Sequence, residues 1–274
     1  AEMPKGGKLS LDMMYKTAGI QINYDYTSEE DFEKKFKIGN YLAPLTIALF
    51  ANSPFNENKL SGFLSYRGKV WQETNRGGIM PITFENVNFE KYIDHAINYP
   101  ILFLKKNGKY YSPNGQTFRD FLNGNLSFLK GEKPTLEDFE NHLGTIFTEI
   151  RLKQVIEFRS LDTCNFGCIC NGPSFFTGLI YGSLDETYEI IKNWKKEEVM
   201  DAYLNAPKQG LNTLLKNKKL IDWAKIFLDI SKKGLGKRNE LNKSGKNETI
   251  YLKHIEEIIT VSYTHLRAHE TGCY

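Results

Sequence analysis

Six side chains in three separate stretches have the types that charge chemistry needs: Gln21 and Asn23, Arg67 and Trp71, Glu157 and Arg159. Gln21, Asn23 and Asp25 alternate with Ile20, Ile22, Tyr24 and Tyr26. A period of two predicts a strand over 19–26 with one polar and one apolar face. In the run Ile156-Glu157-Phe158-Arg159-Ser160-Leu161, the same period sends Glu157, Arg159 and Leu161 one way and Ile156 and Phe158 the other. If both polar faces line one concave sheet, it offers a carboxylate for a divalent cation and a guanidinium for phosphate. That set suits phosphoryl transfer, where catalysis is mostly positioning and charge neutralisation. Any antiparallel sheet with a wet face shows the same alternation. Arg67 lies among apolar and glycine-rich neighbours, Gly62-Phe63-Leu64-Ser65-Tyr66-Arg67-Gly68, followed by Trp71. It could hold a carboxylate through a bidentate pair, or lie over Trp71 or Tyr66.

These residues need elements to hold them. Ser28 with Asp31 is a capping-box pattern that should open a helix, and Phe32, Phe36 and Leu42 to Phe50 supply its apolar positions and those of its continuation. Residues 51–82, punctuated by Pro54, Gly62, Gly68, Gly77, Gly78 and Pro81, read as loops. Helices are expected over 88–98, 117–122 and 135–142, the last opened by Thr135 and Asp138. A hairpin is expected over 101–112 around Asn107-Gly108. Residues 146–162 read as strand in two segments. From Pro173 to Thr260 the pattern is helical, an outer layer rather than a site, with a polar loop over 232–247.

The bulk numbers exclude some classes. A net charge of +3 with scattered lysines gives no footprint for nucleic acid. No apolar run reaches the roughly 20 residues that cross a bilayer. Cys164, Cys168 and Cys170 lack the second pair that a zinc ribbon needs and read as spectator thiols, with a redox pair as the lesser alternative, and few cysteines fit a reducing cytosol. Both ends look artificial. Val261 to Thr271 resembles a translated sequencing-adaptor peptide, so 261–274 is expected to be a non-native tail, and His265, His269 and Cys273 are left out of any site.

Longer motifs narrow the field. Met3-Pro4-Lys5, Leu11-Asp12-Met13-Met14, Ala48 to Phe55, Gly62 to Arg67 with Trp71, Phe118 to Leu122, Gly131 to Thr135, Asn141-His142-Leu143, Glu149 to Lys153 and Glu157 to Asp162 follow one another in an order that resembles the plant-type and proteobacterial glutamate–cysteine ligases. The resemblance implies an α+β fold, a curved antiparallel sheet forming a funnel with helices outside, related to glutamine synthetase and incomplete at its N-terminal side. Residues 1–260 would be a partial catalytic domain.

It also implies an enzyme that phosphorylates the γ-carboxylate of L-glutamate with ATP and Mg²⁺ and joins it to L-cysteine; the cysteine usage places it in the cytoplasm. Arg67 would grip glutamate, with Gln21 and Asn23 flooring the pocket and Trp71 beside it. Glu157 would be a metal ligand, and Arg159 would face the nucleotide phosphates, the two being the catalytic pair. Leu102 stands where the plant enzymes carry a tyrosine beside the cysteine pocket. Pro113 and Phe128 stand near the places of their regulatory cysteines. Because further acidic ligands and a second glutamate-binding arginine precede this region in the family, the chain alone is not expected to turn over. A ligase using another amine acceptor and a non-catalytic glutamate- or nucleotide-binding relative are the competing readings.

Overall fold

The structure is a computed structural model that describes residues 3–261. The expected tail over 261–274 lies outside the described residues, Val261 excepted.

The first third of the chain wraps a short strand in helices. Helix α1 (Ser10–Lys16) leads into strand β1 (Gly19–Tyr24), then α2 (Glu29–Tyr41) and α3 (Ala43–Leu49). Ser28 opens α2 as expected, its side chain accepting from the Asp31 N–H. A two-residue hairpin, β2 (Phe55–Asn56) and β3 (Lys59–Leu60), precedes α4 (Tyr66–Gln72). The loop reading of 51–82 is thereby corrected: a seven-residue helix stands in the middle of it. The Ser65 side chain accepts from the Gly68 N–H and starts that helix.

Helix α5 (Phe89–Ile97) is followed by the hairpin β4 (Leu104–Lys106) and β5 (Lys109–Tyr111). Asn107 and Gly108 take φ of 49° and 74°, the left-handed pair that a two-residue hairpin turn requires. Helices α6 (Phe118–Leu122) and α7 (Leu136–Gly144) each start with a complete capping box. Two more strands follow, β6 (Ile150–Leu152) and β7 (Ile156–Asp162).

The C-terminal layer is helical: α8 (Asn171–Thr177), a π-helical turn over Gly178–Gly182, α9 (Leu184–Ile191) and α10 (Lys196–Gln209). A small hairpin, β8 (Leu214–Leu215) and β9 (Lys218–Lys219), leads to α11 (Leu220–Arg238) and finally α12 (Lys253–Thr260). Residues 232–238 extend α11, so the polar loop starts only after Arg238, where Asn239 turns left-handed. No described helix is long and apolar enough to cross a membrane.

The fold is α+β, and its largest sheet has three antiparallel strands in the order β1-β7-β6. It is open, with β1 and β6 as edges, and the described residues do not close it into a funnel. One face packs on α2 and α8: a Cβ on Gly39 would run into Ile150 and Phe158, and Phe158 meets Tyr24 and Phe176 edge to face. Phe32, Phe36, Phe158, Phe175, Phe176 and Phe227 are all fully buried in this core. Each contributes roughly 2 kcal/mol from removing its ring from water.

Candidate functional site

The other face of the sheet carries charge. In β1, Ile22 and Tyr24 are buried while Gln21 and Asn23 are exposed, as the alternation requires. Central strand β7 pairs with both neighbours, setting Asn23 opposite Glu157 on one side and Arg151 opposite Glu157 on the other. Between Ile20 and Ile22 the register slips, so that three steps along β7 match two along β1. This bulge corrects one expectation. Leu161 does not share the face of Glu157 and Arg159; it lies with Ile22 over Gly172, on the core side.

Helix α4 delivers the remaining side chains. Arg67 and Trp71 are one turn apart and so share a helix face. Two guanidinium groups lie over the Trp71 ring, Arg67 at 4.6 Å and Arg159 at 5.1 Å from its centroid. Arg67 Nη2 donates to the Arg159 carbonyl. Arg159 Nη1 donates to Gln21 Oε1 at 3.0 Å and lies 3.5 Å from Glu157 Oε2. Glu157 also bonds Arg151 Nε, and Lys153 Nζ stands 3.1 Å from its other oxygen. Five of the six candidates thus form one connected network. Asn23 stays apart from it and lines a 740 Å³ groove with Tyr26, Phe89, Leu136 and Phe139, into which Glu157 also opens.

The electrostatics follow from burial and sign. Burial pushes the Glu157 carboxyl up, but Arg151 and Lys153 outweigh it and hold the group below the ordinary carboxylate value. Arg159 is pulled down to about 10 by burial and by the like charge of Arg151, and it stays charged at neutral pH.

Two further carboxylates, not singled out from the sequence as site residues, stand behind the arginines. Glu149 is completely buried and accepts a 2.6 Å bond from the Tyr203 hydroxyl. Burial raises its pKa, and the charges of Arg67 and Arg159 oppose the rise. Asp162, also buried, is raised by burial and opposed by Arg67. A signal was present for Glu149, an acid set in the apolar run Ile146-Phe147-Thr148-Glu149-Ile150. Its partner Tyr203 lies 54 residues away and gives no local sign.

Four buried polar atoms of this cluster have no partner: Arg67 Nη1, Arg159 Nε, Trp71 Nε1 and Glu149 Oε2. Each unpaired buried group costs roughly 1–3 kcal/mol. Donors left free on two buried guanidiniums and an indole suit an anion with several oxygens.

A divalent cation fits less well. Among the described residues no three His, Cys, Asp or Glu side chains converge as a metal site. The carboxylate expected to ligate it, Glu157, is ringed by Arg151, Lys153 and Arg159. Mg²⁺ takes six oxygen ligands in near-ideal octahedral geometry. The described residues do not make that site by themselves.

The cysteines also need correction. Cys164 and Cys168 are joined as a disulfide, while Cys170 is free and exposed. Asn165 Oδ1 accepts from the Gly167 N–H and tightens the loop that brings the pair together, with Cα atoms 6.1 Å apart.

Residues 1–262 match the family described as glutamate-cysteine ligase family 2 (GCS2). The chain is 40% identical over 267 residues to the chloroplastic glutamate–cysteine ligase of Solanum lycopersicum, covering 96% of the chain and 50% of that protein. It is 40% identical to the chloroplastic glutamate–cysteine ligase B of Oryza sativa subsp. japonica (96% and 53%), and 39% identical to the chloroplastic enzyme of Arabidopsis thaliana (96% and 50%). The chain spans about half the length of these curated relatives. All three are named chloroplastic, which overturns the expectation of a cytoplasmic location.

Proposed function

The chain belongs to glutamate-cysteine ligase family 2, and from that premise we propose that it serves the ATP-dependent joining of L-glutamate to L-cysteine. A γ-carboxylate oxygen of glutamate attacks the γ-phosphorus of ATP, and ADP leaves. The cysteine amine then attacks the acyl carbon of the γ-glutamyl phosphate. Inorganic phosphate departs with the bonding pair, and the amine loses a proton. Activation is needed because a carboxylate is a poor electrophile at neutral pH.

In this reading Arg67 takes a glutamate carboxylate through its free Nη1. Arg159 neutralises charge on the transferring phosphoryl group, held in aim by Gln21. Trp71 offers its ring to both guanidiniums and walls the pocket, and Asn23 lines its approach. Glu157 serves as the counter-ion that keeps Arg151 and Arg159 on the face. The three-stranded sheet would be one part of a curved antiparallel funnel.

The observation that carries the proposal is the pair of buried guanidiniums over the Trp71 ring, each with a nitrogen that lacks a partner. Most buried polar groups are paired, so two neighbouring guanidiniums that each keep a free donor, beside a free indole N–H, suit a ligand.

The test is an assay of the full-length protein that carries this chain. γ-Glutamylcysteine should form, and phosphate should be released, only when ATP, glutamate and cysteine are all present. Arg67→Ala should lower kcat/KM by roughly 10²-fold or more, as removal of one charge-stabilising donor does elsewhere. Phosphate release with other amines but not with cysteine would overturn the acceptor. Undiminished activity of Arg67→Ala and Arg159→Ala would overturn the site.

A further inference from the structure

Arg67 is almost completely buried, yet among the described residues it makes no ion pair within contact distance, and a flexible four-bond stem does not aim itself. We propose that Asp162 is the positioning residue for Arg67, holding the first turn of α4 through Ser53 and Ser65; the proposal rests on the reading that Arg67 binds glutamate. Asp162 closes β7 and accepts three hydrogen bonds. Oδ2 takes the Asn52 N–H at 2.8 Å and the Ser53 hydroxyl at 2.7 Å. Oδ1 takes the Ser65 hydroxyl at 2.9 Å.

Each serine passes the contact on. Ser53 Oγ accepts the backbone N–H of Arg67 itself at 3.0 Å, and Ser65 Oγ accepts that of Gly68 at 2.9 Å. The opening N–H groups of a helix have no partner inside it, so whatever accepts them fixes where the helix begins. A hydroxyl that donates to a carboxylate is also polarised into a stronger acceptor. One carboxylate on the central strand therefore sets two successive backbone groups of α4, one of them on the residue whose side chain must be aimed.

The far end of the side chain is set by the same place in the sheet. Asp162 pairs with Gly19 across β1 and β7. A Cβ on Gly19 would lie 2.6 Å from Arg67 Nε. The guanidinium thus rests against bare backbone on its way to the Arg159 carbonyl. With its backbone tied at one end and its head seated at the other, Arg67 is left with Nη1 as the donor free for a ligand.

Asp162→Asn replaces one acceptor oxygen by an NH₂ group that can accept nothing, so part of the relay must break. Ser53→Ala removes only the link to the Arg67 N–H and leaves the buried carboxylate in place. Two readouts separate the possibilities. The first needs no substrate: labelling of Arg67 by phenylglyoxal in the chain, followed by peptide mass spectrometry, with Arg76 as internal reference. Arg76 is buried elsewhere, against Thr145 and Pro100. Both variants should label Arg67 roughly tenfold faster or more while Arg76 stays protected. The second is kinetic, on the full-length protein: KM for glutamate should rise roughly tenfold or more, the scale that a small misplacement of a binding group produces, with KM for ATP unchanged.

Arg67 protected in both variants overturns the proposal. If Asp162→Asn exposes Arg76 as well, it has unfolded, and Ser53→Ala decides. If Arg67 is released and glutamate KM does not move, the positioning role stands and the assignment of glutamate to Arg67 falls.

Discussion

Two regions of the molecule use glycine to bring groups together that a side chain would keep apart, and they gain different things. In the C-terminal layer α11 lies on the π-helical turn so closely that a Cβ on Gly234 would sit 1.9 Å from the Gly178 carbonyl oxygen. Backbone meets backbone there, Ser231 donates to the Phe175 carbonyl beside it, and Trp194, Trp223 and Phe227 fill the next layer with rings. At Gly19 the gap is filled by a guanidinium. The first closeness yields dispersion contact along a helix seam. The second yields a charge in a dry place with donors left over. Close approach alone therefore does not distinguish packing from function. The identity of the group that fills the gap does, together with whether its hydrogen bonds are complete.

The seam should be the more fragile of the two. Gly234→Ala puts a methyl group into a carbonyl oxygen on a neighbouring helix, and neither backbone can rotate away without moving its whole element. A loss of about 3 kcal/mol or more is expected, at the upper end for overpacking and despite the better helix propensity of alanine. Urea unfolding of the variant would show it as a lower midpoint with little change in slope. A midpoint within error of the parent would mean that the seam can part, and the contrast with Gly19 would disappear.

Both regions were unequally legible beforehand, for physical reasons. Strand β1 was readable because the alternation of Ile22 and Tyr24 with Gln21 and Asn23 is local. The Asn107-Gly108 turn and the Thr135–Asp138 capping box were readable because each is written within four residues. Helix α4 was not: it is seven residues long, begins beside glycines, and buries an arginine where a helical pattern would show an apolar residue. The bulge that turns Leu161 to the core leaves no mark on a single strand, since it exists only in the pairing with β1. Arg67, Glu157 and Arg159 stand out by residue type, neighbours and strand period, while their separate roles come from the family resemblance alone. Glu149 and Asp162 were missed as members of the site because their partners are Tyr203, Ser53 and Ser65, contacts that only the folded chain brings about.

Tyr203 joins the two regions and gives a second, smaller effect. It projects from α10 in the helical layer and donates to the buried Glu149 behind the arginines. Tyr203→Phe would leave both oxygens of that carboxylate without a partner, at a cost of about 2 kcal/mol near neutral pH. The sign of its pH dependence follows from the raised pKa of Glu149. A group whose pKa is higher folded than unfolded favours the fold most when protonated in both states, and that contribution is lost as pH rises through the folded value. The deficit of the variant should shrink between neutral solution and one acidic enough to protonate the buried carboxyl. Paired denaturation curves at the two conditions measure this. A deficit that grew on acidification would place the charge elsewhere.

The smallest stability effect should come from Gly19→Ala, and it is the sharpest test of the comparison. The added methyl group meets Arg67 Nε at 2.6 Å and the Leu161 carbonyl oxygen at 2.7 Å. The first neighbour belongs to a side chain with several free torsions, and the second is backbone of the central strand β7, from which Gly19, the first residue of the edge strand β1, can ease away. The clash can be relieved by swinging the guanidinium off the sheet, at about 1 kcal/mol, the low end of what overpacking costs. The swing breaks the bond to the Arg159 carbonyl and opens Arg67 to labelling even though the fold survives. A modest drop in urea midpoint with a large rise in Arg67 reactivity is the expected pair of results. Were Gly19→Ala instead to cost as much as Gly234→Ala while Arg67 stayed protected, the strand backbone would have taken the strain. Gly19 would then be a packing glycine of the same kind as those in the helix seam.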